Sequence, residues 1–211
     1  MKRMNQNMHN EKWKASDVIR VVPVILALTL VPLISSAKQY KTGLSDQPWF
    51  FSTGSSIDIF LYWKGRALVL LAVIMAVLFV GTVIELWSKR QEGNNQKKIS
   101  KAGEFLTIMR ERLCRPEMIC LLVYFAFAAV SAFLSDYKDF ALGGSYEQWE
   151  GLNVLTAYVI LLLYVYLTTG TEKVVRILLY SLVTGAFVIG LIGTFQFFRM
   201  DFFRSSAGQA V

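Results

Sequence analysis

The residues most able to do chemistry stand close together in SDYKDFALGGSYEQWEG, positions 135–151, where Asp136, Asp139, Glu147 and Glu150 accompany a single Lys138. Carboxylates gathered in a polar stretch could bind a cation or a sugar, or accept protons. A plainer reading competes: a short connection between two apolar segments must be polar and flexible, which Gly143 and Gly144 would supply. The residue types alone favour the plainer reading. A second candidate is the pair Lys64 and Arg66, which could hold a phosphate through charge-assisted hydrogen bonds. Basic residues at the end of an apolar segment ordinarily act as interfacial anchors, so this pair also has a simpler role available. Lys64, Arg66, Glu147 and Glu150 are the candidate substrate-binding residues.

Elsewhere the chain offers little chemistry. It has no phosphate-binding glycine loop, no zinc signature and no nucleophile elbow. The single histidine, His9, lies in a polar tail. Cys114 and Cys120 match neither a zinc nor a redox spacing and read as apolar filler. The residues therefore nominate no catalytic group, no metal site and no cofactor.

The elements that would position these candidates are apolar blocks. Of the 211 residues, 55% are hydrophobic, and the mean hydropathy is +0.45. The apolar residues run in blocks long enough to cross a hydrocarbon layer, which takes ~20 residues for ~30 Å. The expected architecture is all-α, a polytopic integral membrane protein with about five transmembrane helices at 18–37, 67–87, 118–135, 152–169 and 174–198. The first block, with basic flanks and an SSA ending, could pass for a signal peptide. Its length, Pro23 and Pro32, and the spans that follow favour a retained helix, which Ser16 or Asp17 could cap. Gly185, Gly190 and Gly193 in the last block could admit a neighbouring helix.

The connections carry the charge. Residues 1–17 form a polar tail, and the loop from Lys38 to Arg66 is studded with Trp49, Phe50, Phe51, Tyr62 and Trp63, which suit a membrane surface. The loop from Ser88 to Arg115 is the most basic. Within it EFLTIMRERL places Phe105, Ile108, Met109 and Leu113 on one helical face, as expected of a surface-lying helix. Lys and Arg are disfavoured in short translocated loops. The N-terminal tail, this basic loop and the turn at 170–173 are therefore expected in the cytoplasm. The loops at 38–66 and 136–151, with the 199–211 tail, are expected outside, despite Lys38, Lys41, Lys64 and Arg66 in the first of them. The net charge of +7 serves orientation and membrane lipids; no basic–aromatic stripe suggests nucleic acid. Arg20, Glu85 and Arg176 lie near span ends, which disfavours a transporter.

The segment ALGGSYEQWEGLNVLTAYVILLLYVY resembles the outer loop and following helix of the O-antigen ligase and polymerase family, through Gly144, Ser145, Tyr146, Glu147, Glu150, Gly151, Leu152 and Tyr158. LIGTFQFFRMDFF is similar to the family's glycine- and phenylalanine-containing helix that ends at an aspartate, and IDIFLYWKGRAL looks like the stretch before its second helix. Gln148 and Trp149 stand where several members carry an arginine. The resemblance implies a glycosyltransferase of the bacterial plasma membrane that takes a glycan from an undecaprenyl diphosphate carrier, with neither nucleotide sugar nor metal. Such proteins have more spans and a later outer loop bearing Arg and His. This chain is accordingly expected to be the N-terminal portion, inactive alone. The competing expectation is a small non-catalytic membrane scaffold or accessory protein.

Overall fold

Backbone amides in a hydrocarbon layer find no water, so an apolar block must bond its own N–H and C=O groups within the segment. The computed structural model is mostly helical in this way, and describes residues 15–41, 55–91, 103, 107, 109–145, 148–168 and 172–198. Helix α1 covers Ala15–Thr29, so Ser16 and Asp17 lie in its first turn rather than ahead of it. It ends well short of 37 because Pro32 has no N–H to donate and restricts the residue before it. A 3₁₀ turn at Val31–Leu33 takes over.

The described ends of the polar connection that follows form two strands, while Trp49, Phe50 and Phe51 fall outside the described residues. Strand β1, Lys38–Lys41, pairs antiparallel with β2, Ser55–Asp58, in the register Lys38 to Asp58 and Tyr40 to Ser56. This two-stranded hairpin departs from the all-α expectation. Helix α2 then runs from Leu61 to Gln91, so Lys64 and Arg66 sit in its first turns and not in a loop. Helix α3 is Pro116–Leu134, opening on a proline whose missing N–H costs nothing there, with Glu117 beside the positive end of the helix dipole. A short helix α4, Lys138–Gly143, occupies the acidic connection. Helices α5, Leu152–Thr168, and α6, Glu172–Phe197, follow.

Among the described residues three helical segments are long and apolar enough to cross a membrane: Leu61–Glu85, Pro116–Leu134 and Glu172–Phe197. Two more apolar stretches, Val18–Leu33 and Leu152–Thr168, are shorter. Those shorter ones are central. The core joins Val24 and Ala27 of α1, Leu68, Ala72 and Met75 of α2, and Val154, Ala157 and Tyr164 of α5. Ala27, Ala72 and Ala157 let the three axes approach, the usual device where lipid outside is as apolar as protein inside. Helix α6 packs chiefly on α1, while α3 and α4 lie against α5. Leu70, Val77, Phe127, Phe133, Val183 and Phe187 are all exposed, an apolar belt far larger than a water-facing surface tolerates.

Two hydrogen bonds tie one end of the bundle. The Tyr164 hydroxyl donates to the Arg20 carbonyl at 2.8 Å, next to the Ile19 carbonyl that Pro23 leaves without its helical donor. Arg112 Nη1 donates to the Tyr166 carbonyl at 2.6 Å, covering an end-of-helix acceptor of α5. Arg112 belongs to the basic connection, where 109–113 are helical, Met109 and Leu113 are half-buried, and Arg110 and Glu111 are exposed. Phe105 and Ile108 fall outside the described residues. The start of α1, the start of α3 and the junction of α5 with α6 thus share one end, and the hairpin and α4 share the other.

Of the three glycines in α6, only Gly185 makes a close helix approach: a Cβ there would stand 2.9 Å from the Leu28 carbonyl oxygen, whereas Gly190 and Gly193 face open space. Gly185→Leu should therefore push α6 from α1 and destabilise the protein by about 1–3 kcal/mol. Gly190→Leu should stay within about 0.5 kcal/mol of the parent. Unfolding midpoints of the two variants in the same detergent check this.

Candidate functional site

At the hairpin end, a carboxylate organises the backbone. Asp58 Oδ1 accepts from the Phe60 and Leu61 amides at 2.8 and 3.0 Å, and Oδ2 accepts from the Tyr62 amide at 2.7 Å. These are donors with no partner inside the helix, so Asp58 caps α2. The signal was legible: an aspartate directly ahead of an apolar run. Burial raises the Asp58 carboxyl, but the amides of Leu61, Phe60 and Tyr62, with a hydrogen bond from the Trp149 side chain, outweigh it and hold it below the usual carboxylate range.

Trp149 links three pieces of chain. Its ring meets Tyr40 of β1 edge-on at 5.3 Å and Tyr62 of α2 at 5.1 Å, and its indole nitrogen is buried. The backbone adopts φ 51° to place it, a conformation uncommon for a bulky residue. The preceding turn is set by Trp149 N–H donating to the Ser145 carbonyl at 2.9 Å. Gly144, at φ 88°, abuts the Trp149 and Glu150 backbone, and a Cβ on Gly151 would run into the Gly144 nitrogen and the Leu142 carbonyl. Gly144 and Gly151 therefore serve close contact and left-handed backbone rather than flexibility; Gly143 alone faces open space.

Basic groups collect on the same aromatics. Lys38 Nζ lies 5.0 Å and Arg66 Cζ 5.4 Å from the Tyr62 ring centre, within cation–π range. Lys64 points elsewhere, its Nζ 5.3 Å from the Phe60 ring. Two residues apart on a helix is about 200° around the axis, so Lys64 and Arg66 do not form one anion clamp. Arg66 pairs spatially with Lys38.

Two cavities open at this end. One of about 470 Å³ lies between α2, α4 and α5, lined by Tyr62, Arg66, Asp139, Gly144, Trp149 and Asn153 among others. The second, about 610 Å³, lies between α3, α4 and α5, with Tyr124, Ser135, Gln148, Glu150 and Tyr158 on its walls. Phe140 and Gly144 border both. Of the candidate residues, Arg66 and Glu150 thus occupy neighbouring but separate cavities, Lys64 neither, and Glu147 lies outside the described residues. Lys38, Asp58, Trp149 and Asn153 are the participants that reading by residue type passed over. Among the described residues no three His, Cys, Asp or Glu side chains converge as metal ligands. Cys114 and Cys120 are free and exposed.

No family model matches the chain, and neither a curated protein nor a solved structure does.

The Asp58 cap has a pH signature. A carboxyl held below its usual range stabilises fully above about pH 4, and that contribution fades as pH falls through the lower folded value. Asp58→Asn leaves one of the three amides without an acceptor and should cost about 1 kcal/mol at pH 7, and the gap from the parent should shrink as pH drops below about 4. Thermal unfolding in detergent across pH 3–7 reads both effects; a gap independent of pH would refute the charge-based cap.

Proposed function

We propose that this chain contributes the carrier-binding outer face of an O-antigen ligase- or polymerase-like glycosyltransferase in the bacterial plasma membrane. The observation that carries the reading is the cavity of about 470 Å³ where Arg66, on the Tyr62 ring, meets Trp149 and Asn153. In such a reaction an acceptor hydroxyl attacks the anomeric carbon and gives up its proton to solvent, the bond from that carbon to the diphosphate oxygen breaks, and undecaprenyl diphosphate leaves with the bonding electron pair. An arginine suits the diphosphate because its planar fork matches phosphate oxygens. Aromatic faces suit the apolar faces of sugar rings through dispersion. The carrier's isoprenoid tail would remain in the surrounding lipid.

The reading includes five spans with the N-terminus in the cytoplasm. The α1 helix and its 3₁₀ turn together measure roughly 29 Å, and α5 about 26 Å, against a hydrocarbon layer of ~30 Å. Both lie in the middle of the bundle, where neighbouring helices offset a small mismatch. Arg20, Arg110, Arg112, Arg115, Lys173 and Arg176 belong to the end of the bundle opposite the hairpin. That basic end is placed inside.

Two measurements test this. With Cys114 and Cys120 replaced by serine, a membrane-impermeant thiol reagent on intact cells should label a cysteine at Gly143, where space is open, and spare one at Gln96. The reverse pattern would invert the topology. In nanodiscs, Arg66→Gln should weaken retention of an undecaprenyl diphosphate-linked glycan about tenfold, the scale of one lost charge-assisted contact, while Lys64→Gln should change it little. Equal effects of the two substitutions would remove the site from this reading.

A further inference from the structure

A third cavity, about 850 Å³, opens at the end of the bundle away from the hairpin. Although only three residues separate α5 from α6 in the sequence, α6 packs chiefly on α1, and a groove is left between them. Tyr158, Leu161 and Val165 line one wall and Val175, Leu178 and Leu182 the other, with α1 beneath. On each helix these residues recur at three- and four-residue intervals, so two continuous apolar faces confront each other without meeting. The walls are apolar until the mouth, where Arg112 and Arg115 stand.

We propose that this groove holds an anionic phospholipid of the adjacent leaflet, one acyl chain lying between α5 and α6 and the phosphate at the two arginines. The dimensions suit one leaflet. Tyr158 to Tyr166 spans about 12 Å of helix axis and Val175 to Leu182 about 10 Å, against ~15 Å for half the hydrocarbon layer. The charge arrangement is complementary to a lipid, with cations only at the membrane-surface end and apolar side chains below. Basic pockets between helices at a membrane face bind anionic headgroups in this manner. Arg112 is oriented by its bond to the Tyr166 carbonyl, which brings its guanidinium to the top of α5. Among the described residues Arg115 makes a loose, solvent-exposed pair with Glu117 at 3.8 Å, which adds little and leaves it able to turn to a phosphate. Bidentate contact to phosphate oxygens is where arginine exceeds lysine.

The full chain in nanodiscs of equal parts phosphatidylglycerol and phosphatidylcholine, with matched acyl chains, provides the test. Native mass spectrometry of the released protein counts the lipids it retains. The parent should keep one phosphatidylglycerol in preference to phosphatidylcholine. Arg115→Gln should lower that preference about fivefold, and Leu182→Trp, an exposed wall position, should abolish retention of either lipid by filling the groove. Arg110→Gln, an exposed charge outside the groove, should leave the preference unchanged; Arg112 is spared because it braces α5. Equal retention of both lipids by the parent would overturn the proposal. So would an Arg110→Gln effect as large as that of Arg115→Gln, or phosphatidylglycerol retained by Leu182→Trp. A dimer that Leu182→Trp disperses would assign the groove to a second copy of the chain instead.

Discussion

Three backbone N–H groups at the start of α2 converge on the Asp58 carboxylate, and the buried Trp149 indole lies beside them and helps keep that carboxylate charged. The same indole is wedged between Tyr40 and Tyr62. Hairpin, helix start and the turn before α5 are therefore held by one shared set of contacts. The Arg66 cavity is bounded by that set. Moving Trp149 would release Tyr62, and with it the ring over which Lys38 and Arg66 are held.

That arrangement has a cost elsewhere. Trp149 occupies left-handed backbone, and such positions persist only where the surroundings over-determine them. The surroundings here are glycines. Gly144 and Gly151 pass so close that neither tolerates a Cβ, and this closeness brings the loop down onto the ends of α4 and α5. The loop that carries the acidic residues is thus a compact corner. It divides the space at this end in two and sends Arg66 and Glu150 to different cavities.

Below the corner, the outer face of the bundle is apolar, as suits contact with lipid. Helix contact gains nothing from excluding an apolar solvent, so the axes approach wherever side chains are smallest. Ala27, Ala72 and Ala157 mark that place in the core, and Gly185 marks it between α6 and α1. Where α5 and α6 carry Leu, Val and Tyr instead, they stay apart. The groove they leave carries its two cations, Arg112 and Arg115, at its mouth. The two ends of the bundle differ accordingly: one presents aromatics with mixed charge, the other arginines above an apolar cleft.

The helical, membrane-suited class was legible in the residues alone, because blocks of apolar residues longer than a soluble core requires have few alternatives. The observed helices follow the apolar blocks, with boundaries that a local cap or a proline sets in places. Asp58 started α2 earlier than the charges at Lys64 and Arg66 suggested, and Pro32 ended α1 before the apolar run did. Which residues share a site became visible only in the packed fold. Lys64 and Arg66 are neighbours in sequence yet lie on different sides of α2, while Lys38, Asp58 and Trp149 come together from positions more than a hundred residues apart at the extremes. Periodicity fixes which face of one helix a residue occupies. It does not fix which other helix that face meets, since in lipid this depends on small-residue contacts and turn geometry across the whole bundle.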